Sequence, residues 1–317
     1  MYTPSFTISS KAVNIIAEIS ALIERYDISI EQNENLMLRK ANRIKTIHSS
    51  LAIEGNNLSE SEVIDIVNGK EVVAPLKEIQ EVKNAINTYN LYETFNPFSI
   101  DDLLKAHRLM MQSLSPDAGS FRKGGVGVFE GENLIHMAPP ADRVPYLIKE
   151  LFEWLKNSDD HILIKSSVFH YEFEFIHPFS DGNGRIGRLW QSLILGKLHS
   201  LFEYLPIENM IYQNQQTYYD AIAKSSAIND SGVFIDFMLQ EILNSLKKRY
   251  NSKHETTDIE KKILDIITSD IHITAKKISE LFSISQRQVE RVISELKNRG
   301  IIERVGARKN GYWRIKK

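Results

Sequence analysis

The amino-acid sequence predicts a mostly α-helical protein, with one short β-hairpin inside a helical core and a small basic unit of helices and strands at the C-terminal end. Three observations carry this prediction. Apolar residues recur at helical spacing over most of the chain, as in ENLMLRKANRIKTIHSSLAI and RIGRLWQSLILGKL. Strand-like patterns are confined to a stretch near residues 124–137 and to two runs after Gly300. Charge is segregated: residues 256–317 hold 14 Lys and Arg against 8 Asp and Glu, although the chain as a whole stands at −2.

A chain of 317 residues, 42% hydrophobic, can bury a sizeable core and form two or three domains. The expected division is an N-terminal helical region over 1–94, a core over 95–248 and a C-terminal domain over 256–317, with the polar, aperiodic YNSKHETT at 250–257 as linker. The absence of cysteine excludes disulfide frameworks, thiolate metal sites and cysteine nucleophiles. The opening MYTPSFTISS has neither the basic flank nor the apolar run of a signal peptide, and no stretch is apolar for long enough to span a bilayer. A cytoplasmic location without membrane partners is therefore expected.

Taken in order, the first long helical pattern ends at Glu54-Gly55, where glycine suits a left-handed C-cap. Glu54 fits poorly there, because a carboxylate in a last turn opposes the helix dipole, so a compensating arginine is expected nearby. At 124–137, Val126 and Val128 alternate with smaller residues around the turn Glu130-Gly131-Glu132-Asn133, which predicts a hairpin ended by Pro139 and Pro140. An amphipathic helix follows from about Asp142. The aromatic-rich VFHYEFEFIHPF reads as a helix stopped by Pro178, with His170 turned to packing. Further on, ENMIYQNQQTYYDAIAKSS is helical in pattern, with Tyr218 and Tyr219 on one edge. The C-terminal region shows three helical patterns, the last over 285–299, followed by two strand-like runs around an Arg-Lys-Asn-Gly turn, and this looks like a winged helix-turn-helix. Gln286, Arg287, Gln288 and Arg291 would then face a major groove, with Arg308 and Lys309 at the wing tip toward phosphates. Protein contacts are the alternative use of such a domain.

Residues 177–188, HPFSDGNGRIGR, concentrate the chemistry. Glycines at 182 and 184 allow positive φ and let backbone N–H groups converge on an anion. A helix opening at Asn183 or Gly184 would add its free N–H groups and dipole, and Arg185 and Arg188 would extend the cradle. Next to bound phosphates, His177 could accept a proton from an alcohol. Asp181 could hold Mg²⁺, or simply form an Asx turn or cap. The run lacks the Gly-Lys-Ser/Thr of a Walker loop and the preceding strand of a dinucleotide fold.

This run resembles the signature HPFx[D/E]GNGRxxR of the Fic (filamentation induced by cAMP) family at every fixed position. The resemblance implies a Fic-type helical core with a small β-hairpin flap, and transfer of AMP from Mg²⁺-ATP to a Ser, Thr or Tyr hydroxyl of a protein. It makes His177 the base, Asp181 the Mg²⁺ ligand and Phe179 a buried anchor. The nucleotide contacts would be Gly182, Asn183, Gly184, Arg185, Ile186, Gly187 and Arg188, with Tyr218 and Tyr219 on the adenine side. The family's Asn near that pair is Ser226 here. One branch of the family, kinase-like, has Lys at the position of Gly184, so glycine argues for nucleotidyl transfer. The segment Ser50-Leu51-Ala52-Ile53-Glu54-Gly55 resembles the family's inhibitory motif, in which Glu54 would pair with Arg188 and block the γ-phosphate. The implied partners are ATP, a target protein lying along the flap near 124–137, and DNA at the C-terminal domain; a homodimer is left open. Three alternatives stand beside this reading: a DNA-binding regulator that senses nucleotide without turnover, an enzyme that removes AMP, and one that transfers another phosphate-linked group.

Overall fold

Two helices buried on nearly every side form the centre of the larger of two units, which spans residues 1–246. The structure is a computed structural model and describes residues 3–24, 35–130, 133–205, 207–298, 300–306 and 311–316. The first central helix, α7 (Ile162–Ile176), buries Val168, Phe169, His170, Phe173 and Ile176, so it has no polar face to give to water. The second, α8 (Asn183–Gly196), buries Ile186, Leu189, Trp190, Leu193 and Ile194. Each fully buried aromatic or aliphatic side chain contributes about 1.5–3 kcal/mol, so this pair is a main source of the unit's hydrophobic stabilisation. Trp190 is fixed further by its indole N–H, which donates to the Pro97 carbonyl at 3.0 Å.

Around the pair lie α1 (Ser10–Glu24), α2 (Asn35–Ile53), α3 (Glu60–Val67), α4 (Leu76–Asn90), α5 (Ile100–Met110) and α6 (Val144–Asn157). The capping box at Ser59 and Glu62 starts α3. Ser99 accepts from the Asp102 N–H at the start of α5. Between α5 and α6, strands β1 (Gly127–Glu130) and β2 (Asn133–Met137) pair antiparallel, with a register shift between Val128 and Phe129. The expected single helix around 208–226 is two, α9 (Ile207–Gln213) and α10 (Gln215–Ile228).

Helix α11 (Gly232–Ser269) runs through the stretch expected to be an aperiodic linker. Its polar residues suggested a loop, but no Gly or Pro lies between 233 and 269 to interrupt a helix. The compact units divide at Leu246 and Lys247.

The second unit, residues 247–317, packs the end of α11 with α12 (Ala275–Phe282), α13 (Gln286–Asn298) and the antiparallel pair β3 (Ile302–Val305) and β4 (Tyr312–Ile315). Its core joins Ile263, Ile267, Ile278, Val289, Val292, Leu296 and Trp313. The Trp313 indole donates to Ile273 O at 3.0 Å and anchors the strands to the helices. This is the expected winged helix-turn-helix arrangement. Gln286, Arg287 and Arg291 are exposed on α13 and Gln288 partly so; Arg308 and Lys309 lie outside the described residues. Among the described residues, no helix is long and apolar enough to cross a membrane.

Candidate active site

The six residues joining α7 to α8 are shaped by their two ends. At the first, His177 caps α7 in the left-handed conformation, φ 50° and ψ 63°, with its N–H on Phe173 O at 2.9 Å. A non-glycine residue in that region costs about 1–2 kcal/mol, so the surroundings must hold it there. Pro178 contributes by disfavouring the right-handed helical region for the residue before it. At the second end, Gly182 has φ 84°, and a Cβ on it would meet Met111 Sδ at 2.7 Å. Glycine is therefore required at 182 by conformation and by space. Gly184 differs from the sequence expectation, since it lies inside α8 without a positive φ. What its missing Cβ provides is room, because Glu54 Oε1 and Arg188 Nη1 occupy that space.

Asn183 staples the loop to itself: Phe179 N–H donates to Asn183 Oδ1 and Asn183 Nδ2 donates to Phe179 O, both at 2.8 Å. Its side chain is thus committed to the loop. Phe179 is fully buried, as expected for an anchor, and stacks on His107 with ring centroids 3.6 Å apart. His107 has no place in the sequence reading. Its Nδ1 accepts from Gly119 N–H at 2.8 Å, so Nε2 carries the proton and donates to Asp181 O at 3.0 Å. Burial lowers its pKa and favours this neutral form. The only local signal for it was a histidine in an otherwise ordinary amphipathic helix.

Three backbone N–H groups, of Asn183, Gly184 and Arg185, precede the first bond within α8, from Ile186 N–H to Gly182 O at 3.1 Å. They form an anion-binding end. Gly182 N–H is already used by Asp181 Oδ1 at 2.6 Å. Ile186 and Gly187, grouped with the nucleotide contacts by resemblance, differ from that expectation. Ile186 is fully buried with its N–H in the helix ladder, and Gly187 lies against Phe173 and Glu174.

Arg185 and Arg188 are both 3% exposed. Arg185 donates to Asp181 Oδ1 at 2.9 Å and lies 3.8 Å from Glu81 Oε1. Arg188 donates to Glu54 Oε1 at 2.8 Å, to Ser50 O at 2.9 Å and to Ser50 Oγ at 3.3 Å. Burial pulls the Arg188 pKa down, but the Glu54 carboxylate outweighs it and leaves the guanidinium firmly charged. Glu54 follows α2, and Gly55 takes φ 87° as the cap. The arginine that the helix end demanded is Arg188, 134 residues away. The end of α2 is held by Gln215 Nε2 on Ile53 O at 3.3 Å and by Ser49 Oγ on Asn209 Oδ1 at 3.2 Å.

His177 Nδ1 lies 3.3 Å from Glu174 O. A carbonyl can only accept, so this contact puts the proton on Nδ1 and leaves the lone pair on Nε2. Glu174 lies behind the ring, Oε2 at 3.9 Å from Nδ1, and burial pushes its pKa up to about 8. Asp181 keeps a half-exposed side chain, 54%, at the mouth beside the α8 amides. Among the described residues no three potential metal ligands cluster, so a divalent ion here would rest on Asp181 and the oxygens of a bound phosphate. A half-exposed carboxylate beside free helix N–H groups would suit Mg²⁺, which keeps most of its waters. Of the two tyrosines, Tyr218 is buried with its hydroxyl 2.9 Å from His170 Nε2, whereas Tyr219 is partly exposed. The inward turn of His170 agrees with the sequence reading, and Ser226 pairs with the Tyr171 hydroxyl at 3.2 Å.

A model of the Fic/DOC family matches residues 97–195, and a model of the winged helix-turn-helix DNA-binding family matches residues 256–303. The crystal structure of a Fic family protein from Desulfovibrio desulfuricans G20 is similar with a TM-score of 0.78 and 39% identity, covering 99% of this chain and 98% of that one. The protein adenylyltransferase Fic of Nematostella vectensis is 29% identical over 204 residues, 61% of this chain and 45% of that protein. The protein adenylyltransferase fic-1 of Caenorhabditis elegans is 27% identical over 263 residues, 78% of this chain and 47% of that protein. The chain thus spans about half the length of these curated relatives. With the HPFSDGNGRIGR loop folded as described and a full-length likeness at 39% identity, the chain belongs to the Fic family.

Proposed function

We propose that this chain is a protein adenylyltransferase held in check by Glu54. The observation that carries the proposal is the grouping of three features on one short loop and the helix it opens: His177 at the start of the loop, the free amides at the start of α8, and Arg188 on α8 bound by Glu54 at 2.8 Å. The amides of Asn183, Gly184 and Arg185 would take the phosphates of ATP, with Arg185 toward the β-phosphate and Arg188 toward the γ-phosphate. His177 Nε2 would accept the proton of a Ser, Thr or Tyr hydroxyl as that oxygen bonds to the α-phosphorus. The bond from the α-phosphorus to the bridging oxygen breaks, and pyrophosphate leaves with the electron pair. Mg²⁺ held through Asp181 would neutralise charge on the phosphates. Glu54 would occupy the Arg188 guanidinium that the γ-phosphate needs. The target would lie along the edge of the β1–β2 hairpin, paired through its backbone.

The test is label transfer from α-labelled ATP to protein. Replacing His177 with Ala should lower transfer by about 10²- to 10⁴-fold, the usual contribution of a general base. Undiminished transfer would remove the base. Parallel reactions with γ-labelled ATP, and with a protein already carrying AMP, separate the kinase and AMP-removing alternatives.

We further propose that the second unit binds duplex DNA through α13. The exposed Gln286, Arg287 and Arg291 on one helix, and the match to a DNA-binding family model, support this reading. Gel-shift titration across salt should give a log–log slope that falls by about two when Arg287 and Arg291 are both replaced by Ala. A slope insensitive to both would leave the domain to protein contacts.

A further inference from the structure

We propose that Arg122 is a positioning residue that locks the β1–β2 hairpin to the backbone of His177, so that a strand paired to the hairpin meets the base at one fixed separation. This rests on the transferase reading and adds a residue that neither the motif nor the family match points out.

Arg122 precedes the hairpin and is 2% exposed. Its guanidinium binds four backbone carbonyls. Two belong to the ends of the hairpin: Nη1 donates to Gly124 O at 2.8 Å and Nη2 to Pro139 O at 2.6 Å. The other two belong to the end of α7: Nε donates to His177 O at 2.7 Å and Nη2 to Ile176 O at 3.2 Å. Its own N–H donates to Pro178 O at 2.9 Å, and Ala138 N–H closes the hairpin base on Val126 O at 3.2 Å. One rigid fork therefore spans both hairpin ends and the left-handed residue that carries the imidazole.

The geometry has a reason on each side. Carbonyls at the last turn of a helix have no N–H partners within it, and those of Ile176 and His177 find theirs in Arg122. The hairpin is short and bulged between Val128 and Phe129, so its own pairing fixes its orientation weakly. Only a planar group with five donors in fixed directions can serve four carbonyls at once; a lysine, with three donors on one nitrogen, cannot.

The test uses the full chain as Arg122→Lys and Arg122→Gln. Hydrogen–deuterium exchange should rise by about fivefold or more in the hairpin strands and in residues 174–179 together, with residues 44–53 and 185–195 unchanged, as expected for a local opening shared by two segments. A rise in the hairpin alone, in neither segment, or uniformly over the unit overturns the proposal, the last because Arg122 would then be ordinary structural support. Activity supplies the second readout, in a Glu54→Gly background with pyrophosphate release as the probe. Arg122→Lys should lower kcat about tenfold and leave the KM for ATP within about twofold. A raised KM with kcat kept overturns the proposal. If the Glu54→Gly chain with Arg122 intact releases no pyrophosphate, the transferase reading fails, while the exchange pattern still decides the coupling.

Discussion

Replacing Glu54 with Gly should raise the rate of AMP transfer and lower the melting temperature, and the two effects come from one contact. Arg188 would keep its bonds to Ser50 O and Oγ and lose the 2.8 Å bond to Glu54. Hydrogen bonds between charged partners contribute about 1.5–3 kcal/mol net. As each 1.4 kcal/mol is a factor of ten, a competitor of that strength keeps the guanidinium from a γ-phosphate by roughly 10- to 100-fold. That is the expected gain in rate.

The cost in stability has the same source. The Arg188 side chain is 2% exposed and would be left short of counter-charge, while Glu54, at 31%, sits where water can replace part of what it gave. Removing one partner of a fully buried pair costs about 3–5 kcal/mol, and partial access to water brings this to about 2 kcal/mol. For a unit of this size, about 2–4 °C per kcal/mol gives a fall of roughly 4–8 °C. Mg·ATP at a hundred times its Kd would return about 2.7 kcal/mol and more than restore the melting point. Glu54→Gln keeps an acceptor without the charge and should fall between parent and Gly in both readouts. The assay is label transfer from α-labelled ATP beside thermal melts with and without Mg·ATP. A parental rate in the Gly variant, together with a melting point that nucleotide fails to restore, would refute the reasoning.

Glu174 gives a pH prediction. Its pKa is raised in the fold to about 8 by burial, which outweighs Arg188, so between about pH 4.5 and 8 the folded chain holds a proton that the unfolded chain has lost. That contribution makes stability fall as pH rises through this window; Glu174→Gln should remove it, and the gap between variant and parent urea midpoints should widen from pH 5 to 8. A constant gap would mean that Glu174 is ionised in the fold. Replacing His107 with Ala should cost about 3 kcal/mol in urea unfolding, because it removes the stack on Phe179 and strands Asp181 O and Gly119 N–H, and it should also weaken nucleotide binding. Wild-type nucleotide affinity in that variant would show that the Asp181 loop holds its shape without the imidazole.

Much of the site was legible because its chemistry is local. The glycines, the arginines and His177 lie within twelve consecutive residues whose types already describe an anion cradle beside a base. Glu54 was legible for another reason: a carboxylate at the end of a helix is out of place until a cation is found for it. Arg122 was not legible, because its partners are backbone carbonyls at positions 124, 139, 176 and 177, which have no signature in residue types. His107 is illegible for the same reason, since its bonds go to the backbone of Gly119 and Asp181. The polar run at 250–257 suggested a linker, yet helix continuity depends on backbone bonds that polar side chains do not break.

The sequence by itself determined the helical class, the hairpin, the winged C-terminal unit and the residues of the loop, because periodicity, turn chemistry and local spacing are properties of neighbours along the chain. Tertiary structure alone decided that His107 stacks on Phe179, that Tyr218 is buried, and that Arg122 joins the hairpin to His177. Those outcomes depend on which distant side chains and backbone groups are brought into contact, and that is set by the packing of whole helices.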